Sequence, residues 1–199
     1  MTLIEVIVAI SIMGIVATAA IGLSITSQTS AAAQQREELA VAIANQAMEH
    51  VSAQAAGTNL ATNVSYLFQG RTQALVTASW AANAGVAGLA DTYQGWDSVA
   101  VATSTPVVPI SSVSRQSGTD YTTYTLIGTC YQATSGSGDC VRLAAAIPPA
   151  TAPANTTSIL RITVVVRWKA GIGCASGGCS YETTSLVDPH FDLQWKTNG

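Results

Sequence analysis

Residues 1 to 25 read MTLIEVIVAISIMGIVATAAIGLSI, and between Val6 and Ile25 lie twenty residues without a charge. No further charge appears until Arg36, so the only ionisable side chain in the first 35 residues is Glu5. An apolar run of this length is enough to cross a bilayer as a helix. Secretory signal peptides carry Lys or Arg before a shorter apolar run and a small-residue cleavage site after it, and neither flank matches here. Cleavage after the segment is therefore not expected. A membrane anchor also normally has basic residues on its cytoplasmic side. Their absence before Val6 implies that a basic leader preceded Met1 and was removed.

Glu5 needs an explanation, because a carboxylate at the edge of an apolar run is costly in hydrocarbon unless it is paired or protonated. The candidate cation is an α-amino group, on its own chain or on a neighbouring copy. The other reading is a carboxylate at headgroup level, satisfied by water.

From Ser24 to Gly57 the sequence turns polar, SITSQTSAAAQQREELAVAIANQAMEHVSAQAAG, without a proline. The pattern predicts that the same helix continues. Leu39, Ile43, Ala47 and Val51 recur every four residues beside Ala40, Ala44 and Met48, forming a stripe to pack on a head. Arg36, Glu37, Glu38 and Glu49 are left to face outward. Gly57 is the candidate C-cap. A helix from Thr2 to Ala56 would be about 80 Å long. Two helices joined around Thr26 to Ser30 are the alternative. The chain thus divides into a hydrophobic membrane or core helix (1–25), an amphipathic continuation (26–56) and a head (57–199).

After Gly57, short Val/Thr/Tyr-rich runs alternate with Gly, Pro, Asn and Ser, which predicts a β-rich head. The strongest strand is Ser158 to Lys169, SILRITVVVRWK. It sets Leu160, Ile162, Val164, Val166 and Trp168 on one face, to cover the helix, and Arg161, Thr163, Val165 and Arg167 on the other. GIGCASGGCS then reads as a hairpin loop, followed by strands at Tyr181 to Val187 and Phe191 to Trp195, with a meander as the simplest topology. Further strands are expected at Ala74 to Trp80, Ser98 to Val101, Val107 to Val113 and Tyr121 to Thr129. Pro148, Pro149 and Pro153 mark an exposed extended loop. The fold class is therefore α+β, a long N-terminal helix packed on an antiparallel sheet.

Composition agrees with a part-buried, part-apolar chain. Of 199 residues, 48% are hydrophobic and only 10% charged, with mean hydropathy +0.33 and net charge -3, against about 25% charged in ordinary soluble domains. No basic stripe marks a nucleic-acid surface. The four cysteines form two sequential pairs, Cys130 with Cys140 and Cys174 with Cys179, each bracketing a Gly/Ser-rich loop. Short loops favour neighbouring disulfides because closure costs little, although three connectivities are open. Zinc sites use tighter spacing and often histidine, and His50 and His190 lie far from either pair in sequence. An oxidising compartment follows. Asn63 in NVS and Asn155 in NTT match the glycosylation acceptor pattern. Asp188, His190 and Asp192 in DPHFD could point the same way on an extended segment and hold a cation, but no further ligand is indicated and Pro189 suggests a turn, so a solvated polar edge is expected and no metal site. No catalytic or cofactor fingerprint is present, so neither an enzyme nor a cofactor is expected.

The opening MTLIEVIVAISIMGIVATAAI resembles the N-terminus of type IV pilins and pseudopilins, over Met1 to about Val51. The resemblance implies cleavage by a prepilin peptidase just before Met1, methylation of the Met1 amine, and a docking role for Glu5 on a growing filament. It also implies other pilins, the pilus assembly machinery and a membrane-inserted pool as partners, and a cell-surface filament as destination. Met1 stands where Phe is commoner. Gly22 stands where many type IV pilins have Pro, and with Gly14 it predicts an extended or irregular segment near 14 to 22. RITVVVRW followed by YETTSLV also resembles the C-terminal hairpin of some minor pilins and pseudopilins. Three functions remain open: a major pilus subunit serving adhesion or motility, a minor pilin or pseudopilin of a secretion or competence system, and a lone membrane-anchored adhesin.

Overall fold

A computed structural model of the chain describes residues 2–55, 58–59, 64–135, 138–144, 148–149, 152–169, 174 and 178–188. One helix, α1, runs unbroken over Leu3–Ala55, 53 residues or about 80 Å. The two-helix alternative is therefore not what forms. The irregular segment expected near 14 to 22 is also absent: Gly14 and Gly22 are both helical. The reason is local. The Thr18 hydroxyl donates to the carbonyls of Gly14 (3.2 Å) and Ile15 (2.9 Å), and the Thr26 hydroxyl donates to Gly22 (2.9 Å). Glycine costs about 1 kcal/mol in a helix, whereas unwinding would strip several backbone hydrogen bonds from a segment with no sheet to receive them.

The head is built on a five-stranded antiparallel sheet. After the short pair β1 (Thr58–Asn59) and β2 (Val64–Ser65) come α2 (Gln73–Ala82), β3 (Tyr93–Gln94), β4 (Ser111–Gln116), β5 (Thr119–Ala133), β6 (Thr156–Trp168) and β7 (Cys179–Val187). β4 to β7 follow the expected meander, and β3 pairs with the same edge of β5 further along. The β4–β5 hairpin turns on Ser117 (φ 49°) and Gly118 (φ 77°). Positive φ at both central residues is the geometry whose twist matches antiparallel strands, and glycine adopts it without strain.

Both faces of the sheet are covered. On one face Val164, Val166, Trp168 and Tyr121 pack against Ala40 and Ala44, flanked by Leu39, Ile43, Ala47 and Met48. Val51 packs there against Ile127, Leu160 and Ile162. The helix stripe and the strand face expected from sequence thus meet. On the other face Val165 and Leu126 are covered by Val76 and Trp80 of α2, with Leu89 and Ile110. Each fully buried side chain of this size contributes about 1.5–3 kcal/mol.

Three strand expectations are corrected. Ala74 to Trp80 is helix α2, because Val76, Ser79 and Trp80 are buried at helical spacing and the Thr72 side chain caps the first turn. Ser98 to Val101 is irregular: the Asp97 carboxylate accepts from Val99 N–H at 3.0 Å and Gly70 N–H at 2.9 Å, folding the chain into a turn. Only the end of Val107 to Val113 is strand, since Val107 N–H is taken by the Gln69 carbonyl and Pro109 offers no donor. The candidate cap Gly57, the strand at Phe191 to Trp195 and Asn63 lie outside the described residues.

Candidate functional site

Only the second half of α1 is buried by the head. From Leu3 to Ile25 every large apolar side chain is exposed, among them Leu3 (82%), Ile4 (69%) and Met13 (75%), and the helix is long and apolar enough to cross a membrane. Ser11 donates to the Ile7 carbonyl (2.8 Å), and Thr18 and Thr26 return theirs to the glycine carbonyls. Thr29 closes on Thr26 and Gln28 on Ser24. Hydroxyls satisfied within their own helix are tolerated where no water reaches.

Glu5 sits in the first turn. One carboxylate oxygen accepts from the Thr2 backbone N–H at 2.7 Å, while Glu5 N–H donates to the Thr2 carbonyl at 3.1 Å. This is the reaching-back half of a capping box, and a negative group there also suits the helix dipole. A carboxylate has about four lone-pair sites, so this bond leaves acceptor capacity for a second partner. Met1, the candidate processing and methylation position, lies outside the described residues.

The cysteines pair as neighbours, Cys130 with Cys140 and Cys174 with Cys179. The first bridge helps anchor the 134–149 connection to the sheet. Buried Arg161 donates to the Cys140 carbonyl (2.7 Å), the Thr92 hydroxyl (2.8 Å) and the Gly88 carbonyl, and Tyr93 and Tyr131 donate to the carbonyls of Leu143 and Pro149.

Sequence reasoning passed over Arg71, which is fully buried. It fills the gap between β3 and β4 along β5, donating to the carbonyls of Thr125 (2.6 Å) and Val108 (3.4 Å). Burial lowers its guanidinium to about 10. A lone Arg in FQGRTQ carries no signal of this, because the gap it fills is made by three distant segments. A groove of about 320 Å³ runs between α1 and β4, lined by Ile43, Gln46, His50, Ser112 and Ser114 among others.

Of the DPHFD trio, His190 and Asp192 lie outside the described residues. Among the described residues no cluster of three His, Cys, Asp or Glu side chains could hold a metal. Asn155 sits at φ 62° in the turn before β6.

The fold and this site define a class: a chain with an apolar N-terminal helix able to span a membrane, carrying a disulfide-bonded α+β head. No family model, curated protein or solved structure matches the chain.

Proposed function

We propose that the chain is a structural subunit of a type IV pilus-like filament, in which the apolar halves of many copies of α1 pack together and the heads form the exterior. The observation that carries this reading is the uncovered apolar cylinder from Leu3 to Ile25. Water is the one surrounding it does not tolerate, so it belongs in lipid or against other copies of itself, and burial at about 25 cal/mol per Å² favours both. A waiting pool in the membrane and a later place in a fibre core make the same demand. The MTLIEV opening and the spare capacity of Glu5 favour the fibre, where a neighbour's amine would complete the carboxylate's bonding. A minor pilin or pseudopilin would use the same helix in a shorter or tip-located assembly.

One observation favours a different reading. Glu5 already finds a partner in its own Thr2 N–H, so a lone membrane-anchored binding domain needs no neighbour to satisfy it. Shearing cells that express the protein and identifying the main component of the released fibres separates these readings. Fibres built chiefly of this chain are expected for the major subunit, trace amounts in fibres of another protein for the minor one. Protein confined to the membrane as single copies would overturn both assembly readings.

A further inference from the structure

The sheet ends in two uncovered edges. Among the described residues β4 pairs only with β5 and β7 only with β6, so each has one side without a strand. Exposed edges invite pairing with another chain, and proteins blunt them with Lys, Pro or a bulge. Neither strand carries these devices: both lack Lys and Pro, and the registers run without a skipped residue. Each has a single charge, Arg115 on β4 and Glu182 on β7.

Antiparallel alternation places the free backbone groups. Thr125 N–H donates to the Ile110 carbonyl, so Ser112 and Ser114 also spend their backbone groups on β5, while Ser111, Val113 and Arg115 direct theirs outward. Carried through the unbroken registers, the alternation leaves Ser180, Glu182, Thr184 and Leu186 directing theirs away from β6. Both sets have their side chains on the face away from α1, since the intervening Ser114 and Thr183 oppose Tyr121 and Val164, which pack on the helix. β4 and β7 are three antiparallel steps apart and so run in opposite directions. Two copies whose helices run the same way can therefore set β7 of one beside β4 of the other as one more antiparallel pair, with the faces matched.

Side chains select the register. Arg115 opposite Glu182 of the next copy puts Val113 opposite Thr184 and Ser111 opposite Leu186, which covers all of β4. Arg115 also faces its own Asp120 at 3.7 Å, and Glu182 is diagonal to its own Arg167 through the pairing with Val165, so the signs alternate across the joint. Val113 (69% exposed) and Leu186 (44%) become diagonal neighbours, within reach of each other. On the helix side Ser114, whose buried hydroxyl has no hydrogen-bond partner among the described residues, stands opposite Thr183. Hydroxyls on adjoining strands already bond in this sheet, Thr163 with Thr184 at 3.0 Å. Within one copy Ser114 is level with Cys179, so this register slides the next copy about 13 Å along the strands.

We propose that heads of this chain join edge to edge, β7 of one copy pairing antiparallel with β4 of the next through about six backbone hydrogen bonds. The contact is heterologous, so a free edge remains at each end of the row, and with the stagger the row stays open and can grow into a helical array. The inference deepens the filament reading and rests on it only for copies that stand side by side with α1 running one way. The apolar halves then supply cohesion, and the sheet joint sets the spacing and order of the heads.

The test uses the full chain in the cells that express it, with photoreactive benzoylphenylalanine in place of Leu186. Irradiation of sheared filaments should yield linked dimers, and peptide mapping should place the link within residues 109–113 of a second copy. Arg115→Glu or Glu182→Arg should each lower the linked yield about fivefold, and the two together should restore it. Val113→Pro should abolish the link while thermal unfolding of the head stays near the parent's, because that N–H is not used by β5. A link to residues 189–199 of the same chain, or filaments in which position 186 captures residues away from β4, overturns the edge pairing alone. Edge-linked dimers in membranes of cells without filaments would support the pairing and overturn the filament reading. Absence of both filaments and linked dimers overturns the two together.

Discussion

The Tyr121 hydroxyl donates to the backbone carbonyl of Arg36 at 3.2 Å, joining β5 to α1 across 85 residues of chain. The bond closes the end of the helix–sheet interface nearest the apolar half, while the Tyr121 ring, fully buried, packs with Trp168, Ala40 and Ala44. It fixes where on the helix the head begins. Replacing Tyr121 by Phe keeps the ring and removes one hydrogen bond, a loss of about 1 kcal/mol. Thermal unfolding of the head should shift down by a few degrees. Tyr121→Ala, which also opens a cavity, should cost about 3–5 kcal/mol.

Arg71 is a buried cation whose work is to satisfy the carbonyls of Thr125 and Val108. Substitution by Met relieves the desolvated charge but leaves both carbonyls without donors, each costing about 1–3 kcal/mol. We expect a net loss of about 2 kcal/mol in denaturant unfolding. A variant as stable as the parent would show that the gap between β3 and β4 closes without the guanidinium.

The two disulfides should contribute unequally. Chain entropy predicts about 2.7 kcal/mol for the separation of 10 between Cys130 and Cys140, and about 2 kcal/mol for the separation of 5 between Cys174 and Cys179. Pairwise substitution by Ala, followed by unfolding in denaturant, measures both. The first pair should also loosen Arg161, whose Nη2 depends on the Cys140 carbonyl, and this adds to the difference.

Gly14→Ala and Gly22→Ala bear on helix continuity. In the single chain a Cβ at either position meets nothing within 4 Å, and alanine favours helix over glycine by about 1 kcal/mol. Circular dichroism of the double variant in detergent should show helical content equal to the parent's or greater. A fall would mean that the glycines sit at a break.

Much of this architecture could be read from the residues alone. The charge-free run, the four-residue stripe from Leu39 to Val51 and the alternation in SILRITVVVRWK each repeat a single period long enough to exclude other elements. The reading failed where composition and period disagreed. VTASW looks like strand by residue type, yet Val76 and Trp80 are a helical turn apart and both buried. The Val99 and Val101 run is apolar, but the Asp97 carboxylate bends it, and a carboxylate's choice of local backbone partner has no periodic signature. The glycines at 14 and 22 suggested unwinding, whereas threonines four residues later bind back to the glycine carbonyls and hold the helix closed. At the candidate site, Glu5 was conspicuous as the lone charge in its region, but its bond to Thr2 depends on helix geometry. Arg71 gave no notice, because its partners come together only when β3, β4 and β5 assemble.

The proposed filament requires that copies of α1 associate through their apolar halves, with Glu5 taking a neighbour's amine. Electron microscopy of sheared surface material from cells expressing the wild type or Glu5→Gln, with membrane content measured in parallel, tests it most directly. Filaments should be present for the wild type and lost for the variant, whose membrane level is unchanged. Equal filaments from both, or none from the wild type at full membrane expression, would contradict it.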